Sequence, residues 1–532
     1  MKSSGLPFHH PFAFWAGIVA LTAGVLSHVP MFLHSAHDHY RMAGMEMDAM
    51  MMWGMALIPT GLLLAAYGLM PRLAALRGRQ AASRPLHFHV ADRAPLNRAH
   101  WGLVGVLVVA MIVDVMKPAT LGFVIPGMKV EYAITSETAG LLALVALTGT
   151  TVGSLAWGRL ADTLGRRAAI LLSALMFMGT AICGAMPTFE WNLAMCFLMG
   201  AAAGGLLPIT FTLMSETIPA AHRGWLLVAL GGFGTTLGYL VAAGAAAWLE
   251  PLFSWRSLWL LGLPTGIIIV ILNRYIPESP RFLAAAGLER EARAVLARFS
   301  AQADDDAAGA PASQEAEARQ GGWRALRETH SDITLGLVVG GVSWGLVNFG
   351  FLLWLPVSLG RMGMDAGAAS GLIARSALLA LPGVLLVIVL YHRWSSIKAL
   401  VLFVALSALT LLAFVAMGLA GVTSTTAMVV ATALLLVSAS GVIATLIPYA
   451  SEIYPVHLRG TGAGIIAASS KFGGILGALF GVMGLFGHFI LSAALISVPM
   501  LVSAVMLWRS GIETRGRRLE EIQVSLGARE RA

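Results

Sequence analysis

Asp114 stands about thirteen residues into an apolar run that reads Asp114-Val-Met-Lys117-Pro118-Ala-Thr-Leu-Gly122-Phe123-Val-Ile-Pro126. An ionised residue at that depth of a membrane span costs several kcal/mol, so such residues line polar cavities or proton paths. An acid there can carry a proton. Asp114 and Lys117 are three apart and share a helix face. Either they form a local pair that neutralises itself, or Lys117 acts as the acid's partner or as an anchor for an anion. Pro118 loosens the helix beside them. Lys471 lies about ten residues into a later run, and Arg375 in the outer third of another. Either could meet a carboxylate. Snorkelling to an interface explains Arg375 nearly as well, whereas Lys471 lies too deep to snorkel easily. Asn348, Tyr239 and Thr210 are polar residues within runs. They either line a cavity or bond neighbouring backbone.

A second group lies between the first two runs: His34-Ser-Ala-His37-Asp38-His39-Tyr-Arg-Met42-Ala-Gly-Met45-Glu46-Met47-Asp-Ala-Met50-Met51-Met52. Imidazole beside thioether suits Cu(I) or Ag(I), and His with Asp suits Zn(II) or Cu(II). The candidate ligands are His34, His37, Asp38, His39, Met42, Met45 and Met47. The stretch looks like the short Met/His repeats of periplasmic copper-resistance proteins, without their spacing. The alternative is a loop whose methionines simply enter the next helix. The two cysteines, Cys183 and Cys196, lie inside apolar runs. They read as small core residues that could face each other across a helical hairpin, with no disulfide framework.

Charge also gathers at the ends of runs. Ser215-Glu216-Thr-Ile-Pro219-Ala-Ala-His-Arg223-Gly224 returns 236 residues later as Ser451-Glu452-Ile-Tyr-Pro455-Val-His-Leu-Arg459-Gly460. Gly158-Arg159-Leu160-Ala161-Asp162-Thr163-Leu164-Gly165-Arg166-Arg167 joins two runs, and Pro277-Glu278-Ser279-Pro280-Arg281 closes another. Asp162 with its arginines, Glu216 with Arg223, and Glu452 with Arg459 could hold helix ends together and release them. Exposed pairs worth about 0–1 kcal/mol break easily enough for a gate. The alternative is that the arginines merely anchor loops on one side.

These residues sit in a chain that is 58% hydrophobic and 12% charged, about half the charge of a soluble domain. Fourteen apolar runs are long enough to span a bilayer. The expected class is therefore all-α integral membrane. The runs lie near 12–33, 50–70, 101–123, 139–160, 168–187, 191–214, 225–249, 256–276, 333–359, 367–391, 396–417, 424–448, 461–485 and 487–509. The first is too long for a secretory signal and lacks a cleavage site, so it reads as retained. Residues 1–70 form a two-helix segment, and 71–100 a basic linker with Arg72, Arg77, Arg79, Arg84, Arg93 and Arg98. Two sets of six runs, 101–276 and 333–509, flank a polar central loop, 277–332, with a basic tail at 510–532. With the N-terminus in the cytoplasm, 28 of the 35 Lys and Arg fall inside. Arg41, Lys129, Arg256 and Arg361 fall outside, and Lys117, Arg375 and Lys471 within spans. That asymmetry sets the orientation and accounts for the net charge of +8 without nucleic acid. Both decapeptides then lie on the cytoplasmic side after the fourth run of each six, as parallel repeats require.

The G-x-x-x-D-x-x-G-R-R loop, Pro277–Arg281 and the doubled decapeptide resemble the major facilitator superfamily over about residues 100–510, with affinities to its aromatic-acid/metabolite proton symporter and sugar-porter branches. The resemblance implies two six-helix bundles in a pseudo-two-fold arrangement, around a cavity that opens alternately to either side. The two N-terminal spans are additional. It also implies that Asp162 and the nearby arginines close the cytoplasmic ends. The Asp114 segment resembles the D-G-F-D element of the aromatic-acid/proton symporters, with Lys117 in place of the second acid. The fourth core span resembles R-F-L-x-G-x-G-x-G-G, with Cys196 in place of the arginine. In the second half, Tyr391-His392-Arg393-Trp394-Ser-Ser-Ile-Lys398 has no acid, so asymmetric gate contacts are expected.

The expected function is secondary transport, not enzymatic chemistry. No G-x-x-x-x-G-K-[ST] motif appears, so an ion gradient must supply the energy. The reading is a monomeric, proton-coupled symporter of a bacterial inner membrane, both termini cytoplasmic, importing a small organic anion or related metabolite. Its partners are substrate, protons and lipid, with no nucleic acid. No cofactor is expected beyond Cu or Zn at the Met/His loop. The alternatives are transport of copper or another metal through that loop, drug efflux, or a sensor that no longer transports.

Overall fold

The computed structural model describes residues 9–70, 95–299, 331–422, 424–454 and 456–514. Most of the basic linker, the Asp304–Asp306 stretch and most of the tail lie outside the described residues. Fourteen described helices are long and apolar enough to cross a membrane. They are α1 (Pro11–Asp38), α2 (Ala49–Leu69), α3 (Arg98–Glu131), α4 (Ser136–Leu164), α5 (Arg166–Ala185), α6 (Phe189–Thr217), α7 (His222–Phe253) and α8 (Ser257–Tyr275). Then follow α9 (Ser331–Arg361), α10 (Ala366–Trp394), α11 (Ser396–Leu419), α12 (Thr425–Ala450), α13 (Gly464–Val482) and α14 (Ile490–Ser510). Several run well past the apolar stretch read from sequence. α3 has 34 residues, about 50 Å at 1.5 Å per residue, so its ends project beyond a hydrocarbon slab about 30 Å thick. Asn97 caps it by accepting from the Ala99 and His100 amides at 2.9 and 3.1 Å.

The chain divides into two units. The first holds Met1–Ile134, Val145–Arg223 and Trp248–Ala308; the second holds Thr135–Leu144, Gly224–Ala247 and Gly309–Ala532. In the first, α1 and α2 form a hairpin whose backbones touch through glycine. A side-chain carbon on Gly17 would lie 2.5 Å from Gly61 O and Ala65 N, and one on Gly61 would lie 2.6 Å from Gly17 O. Small residues allow this approach, which dispersion rewards inside lipid. The hairpin lays Phe14, Leu21 and Val25 against Leu171, Leu175 and Met178 of α5. α5 is thereby almost wholly buried. The opposite face of the hairpin leaves Phe12, Trp15, Trp53 and Leu63 exposed, as a lipid-facing surface requires.

In the second unit, two helices contain a wide π-helical turn: Leu346–Leu352 within α9 and Leu390–Trp394 at the end of α10. Such turns free a backbone carbonyl and recur at functional positions. Small residues again permit close crossings. A side-chain carbon on Gly345 would lie 2.2 Å from Ser470 O, and one on Gly473 would lie 2.0 Å from Val342 O.

Candidate functional site

Asp114 is 6% exposed near the middle of α3, the depth expected from its place in the run. Lys117 is 1% exposed. Its ammonium turns toward α5, donating to Phe177 O at 3.4 Å and Thr180 Oγ1 at 3.3 Å, 4.2 Å from the Phe177 ring centroid. The Thr210 hydroxyl lies 2.9 Å from Leu207 O of its own helix and 3.3 Å from Met111 Sδ of α3. In the second unit, the Tyr239 hydroxyl of α7 meets both Asn348 O and Asn348 Oδ1 at 3.2 Å. Both residues are buried. Tyr239 thus serves the π turn, where a carbonyl lacks its usual helical donor. Arg375 is exposed and Lys471 half-buried.

The motif residues of the first unit converge at the end that carries its decapeptide. Gly165, at φ 100°, lets the chain turn from α4 into α5 where other residues are strained. Glu278 is 2% exposed and sits on the N-terminus of α5. Its Oε1 accepts from the Arg166, Ser279 and Arg167 amides at 2.6, 3.0 and 3.4 Å. A helix N-terminus favours an anion there. A side-chain carbon on Gly165 would lie 2.4 Å from Glu278 Oε2, so glycine is required twice over. Burial pushes the Glu278 carboxyl up to about 7, against those amides and the Arg166 charge. The Arg166 guanidinium bridges Asp162 at 3.2 Å and Glu216 at 3.5 Å. Arg167 donates to Asn273 Oδ1 at 2.8 Å. Arg223 donates to Ile218 O at 3.3 Å. Arg159 is exposed. Arg281 and Arg459 lie on helices, but their side chains lie outside the described residues.

The second unit supplies in space the acid that its loop lacks in sequence. Glu513, just after α14, caps α11. It accepts from the Ser395 hydroxyl, from Ser396 N at 3.1 Å and from Ser396 Oγ at 2.7 Å. Thr514 donates to Glu452 Oε2 at 2.7 Å, and Tyr391 donates to the same oxygen at 3.0 Å. Glu513 follows Glu278 by 235 residues, against 236 for the decapeptides. The two capping acids therefore occupy equivalent places in the repeat. The signal was available: Ile512-Glu513-Thr514 echoes Pro277-Glu278-Ser279 one residue short of the repeat spacing, but without its proline.

At the other end of the first unit lies a network that sequence reasoning passed over. Arg256 is fully buried and meets Glu131 at 2.6 Å. It also donates to Gly184 O and Met186 O, each at 2.9 Å, and to the Tyr132 hydroxyl at 3.0 Å. Burial pushes the Tyr132 hydroxyl up, with Arg256 opposing. Trp255 Nε1 donates to Glu131 Oε2 at 2.9 Å. The Met/His loop docks here, with the Met42 and Ala43 amides on Glu131 Oε1 at 2.8 and 3.1 Å. Met42 and Met51 are buried against Phe32 and Ala185, with Met47 partly buried beside them. His34, His37, Asp38, His39 and Met45 are exposed. Among the described residues, no three of His, Cys, Asp and Glu are grouped so as to hold one metal ion.

Known proteins match most of the chain. The niacin transporter NiaP of Acinetobacter baylyi is 27% identical over 445 residues, 81% of this chain and 98% of that protein. The 4-hydroxybenzoate transporter PcaK of Pseudomonas aeruginosa is 29% identical over 427 residues, 78% of this chain and 93% of the relative. The structure of the proton:xylose symporter XylE bound to 6-bromo-6-deoxy-D-glucose has TM-score 0.64 at 17% identity, covering 80% of this chain and 99% of that one. That likeness is one of fold. A family model for the Major Facilitator Superfamily matches residues 103–478, beginning after the α1–α2 hairpin. With the spans, the motifs and the match in agreement, this is a multi-pass membrane transporter and not an enzyme, and the chain belongs to the Major Facilitator Superfamily.

Proposed function

We propose that the protein is a proton-coupled symporter that imports a small organic anion, an aromatic carboxylate in the first instance, by alternating access. The carrying observation is Asp114, 6% exposed near the middle of α3. A carboxyl kept at that depth is costly and is explained by use. The relatives' substrates, niacin and 4-hydroxybenzoate, are aromatic carboxylic acids, which fits an anionic cargo. Lys471, on α13, is the cation we assign to the cargo carboxylate. The distribution of Lys and Arg supports a reading in which both termini and both decapeptides are cytoplasmic and the protein lies in a bacterial inner membrane. The Arg166 and Glu452 clusters then close the cytoplasmic ends of their units. The protein works as a monomer.

The test uses full-length protein in liposomes with an imposed pH gradient and radiolabelled nicotinate or 4-hydroxybenzoate. Asp114→Asn is expected to abolish uphill accumulation while leaving exchange down a substrate gradient. Accumulation by Asp114→Asn equal to that of the parent chain would refute the assignment.

A further inference from the structure

The second unit carries an apolar groove of about 640 Å³ between the halves of α11 and α12 nearest their connecting loop. Leu409, Ala413 and Met417 form one wall and Ala427, Val430 and Leu434 the other, with Ser424 and Thr426 at the loop end. The positions recur at three and four residues on both helices, so each wall is a single helix face. Leu409, Ala413, Val430 and Leu434 are exposed, so the groove opens sideways from two membrane spans.

Packing on either side builds this gap. At its closed end the two helices touch: a side-chain carbon on Gly441 of α12 would lie 2.6 Å from Phe403 Cγ of α11. Toward the loop they are drawn apart. α11 leans on α14, where a side-chain carbon on Gly418 would lie 2.6 Å from Ile490 Cγ1. α12 is tied instead to α10, whose Ser376 hydroxyl donates to Val429 O at 3.0 Å. The walls cannot close on each other without disturbing both contacts.

Left empty in a bilayer, such a gap would deprive its lining of contacts on one side. Water is a poor filler: the Thr410 hydroxyl is already used on Leu406 O of its own helix at 2.7 Å, and apolar cavities stay dry. Size decides among apolar occupants. From Leu406 to Met417 α11 rises about 17 Å at 1.5 Å per residue, close to the roughly 15 Å of hydrocarbon in one leaflet. A volume of about 640 Å³ over that length is about 40 Å² in section. A transmembrane helix, about 10 Å across with its side chains, needs about twice that. An extended acyl chain fits. No charged residue is among the lining, so the groove selects a chain rather than a headgroup. We propose that the α11–α12 groove holds one acyl chain of a membrane phospholipid, in the leaflet on the side of their connecting loop, as a fixed part of the packing of the second unit. The ester end of that chain lies at the hydroxyls of Ser424 and Thr426. This site does not depend on the transport reading.

The test places the full-length protein in nanodiscs containing a phosphatidylcholine whose acyl chain carries a diazirine. After irradiation, labelled residues are mapped by mass spectrometry. Label should concentrate on Leu409, Ala413, Val430 and Leu434, above the level at the exposed Leu495, Val498 and Val502 of α14. Ala413→Phe combined with Ala427→Phe fills the groove, and label there should fall to the α14 level. Exchanging the choline headgroup for glycerol should leave the pattern unchanged. The pattern on the parent chain keeps the test decisive if the double variant misfolds. Equal labelling of groove and α14, undiminished label in a folded double variant, or a pattern that follows headgroup charge would each overturn the proposal. Chain-to-chain cross-links through the groove, as a second copy seated there would give, would overturn it as well.

Discussion

At the scale of single residues, Glu278 links motif, geometry and pH. Its carboxyl is held by three amides and an arginine, yet burial dominates and lifts it from 4.5 to about 7. A carboxyl whose folded value lies above its unfolded one binds its proton more tightly in the folded chain. The resulting stability is fully present below about pH 4.5 and is lost as pH rises through about 7. The thermal midpoint of the detergent-solubilised protein should therefore fall between pH 5 and pH 8, and Glu278→Gln should flatten that slope. An unchanged slope in the variant would contradict this account. Glu278 was legible in sequence because it sits in a patterned pentapeptide. Arg256 was read only as a charge outside the membrane. Spacing tells where a side chain leaves the backbone, not that it finds Glu131, two carbonyls and a tyrosine waiting.

Among the elements, the α1–α2 hairpin shows what apolar length can and cannot reveal. Fourteen runs announced fourteen helices, because a backbone in hydrocarbon must satisfy its own hydrogen bonds. Length does not reveal packing partners. The glycines at 17 and 61 fix the crossing, and Gly61→Leu should overpack it by about 1–3 kcal/mol or more. Its readout is a lower thermal midpoint together with faster proteolysis in the loop at 39–48. Unaltered stability would mean that the helices do not meet there. The loop itself read as a metal-binding candidate, since its His and Met residues are the right types. Docking of the Met42 and Ala43 amides on Glu131 and burial of Met42 and Met51 give part of that composition a packing role. The π turns were invisible to pattern reading, because an inserted residue barely disturbs an apolar run.

On the scale of the whole chain, duplication is the organising fact, and it extends to the acids that cap corresponding helices. The first half closes the end of α5 with Glu278; the second closes the end of α11 with Glu513. Glu513→Ala should leave two buried serine hydroxyls and an amide without their acceptor, at about 1–3 kcal/mol. Loss of thermal stability in that variant, with Glu513→Gln recovering part of it, is the expected pattern. Equal stability of all three proteins would show that the cap is dispensable. The acid's position one residue off the repeat offset, beside a basic tail, hid the equivalence from a reading that searched for matching loops.

The hairpin's docking site also orders events during synthesis. α1 and α2 rest on α5 and α8, which leave the ribosome more than a hundred residues after the hairpin. The first two helices therefore enter the bilayer before the surface that will hold them exists. Their mutual glycine contacts need no later helix, so the pair can persist as a hairpin until α5 arrives. When it does, α5 enters a groove already walled on one side, and the core of the first unit assembles against a partner made in advance.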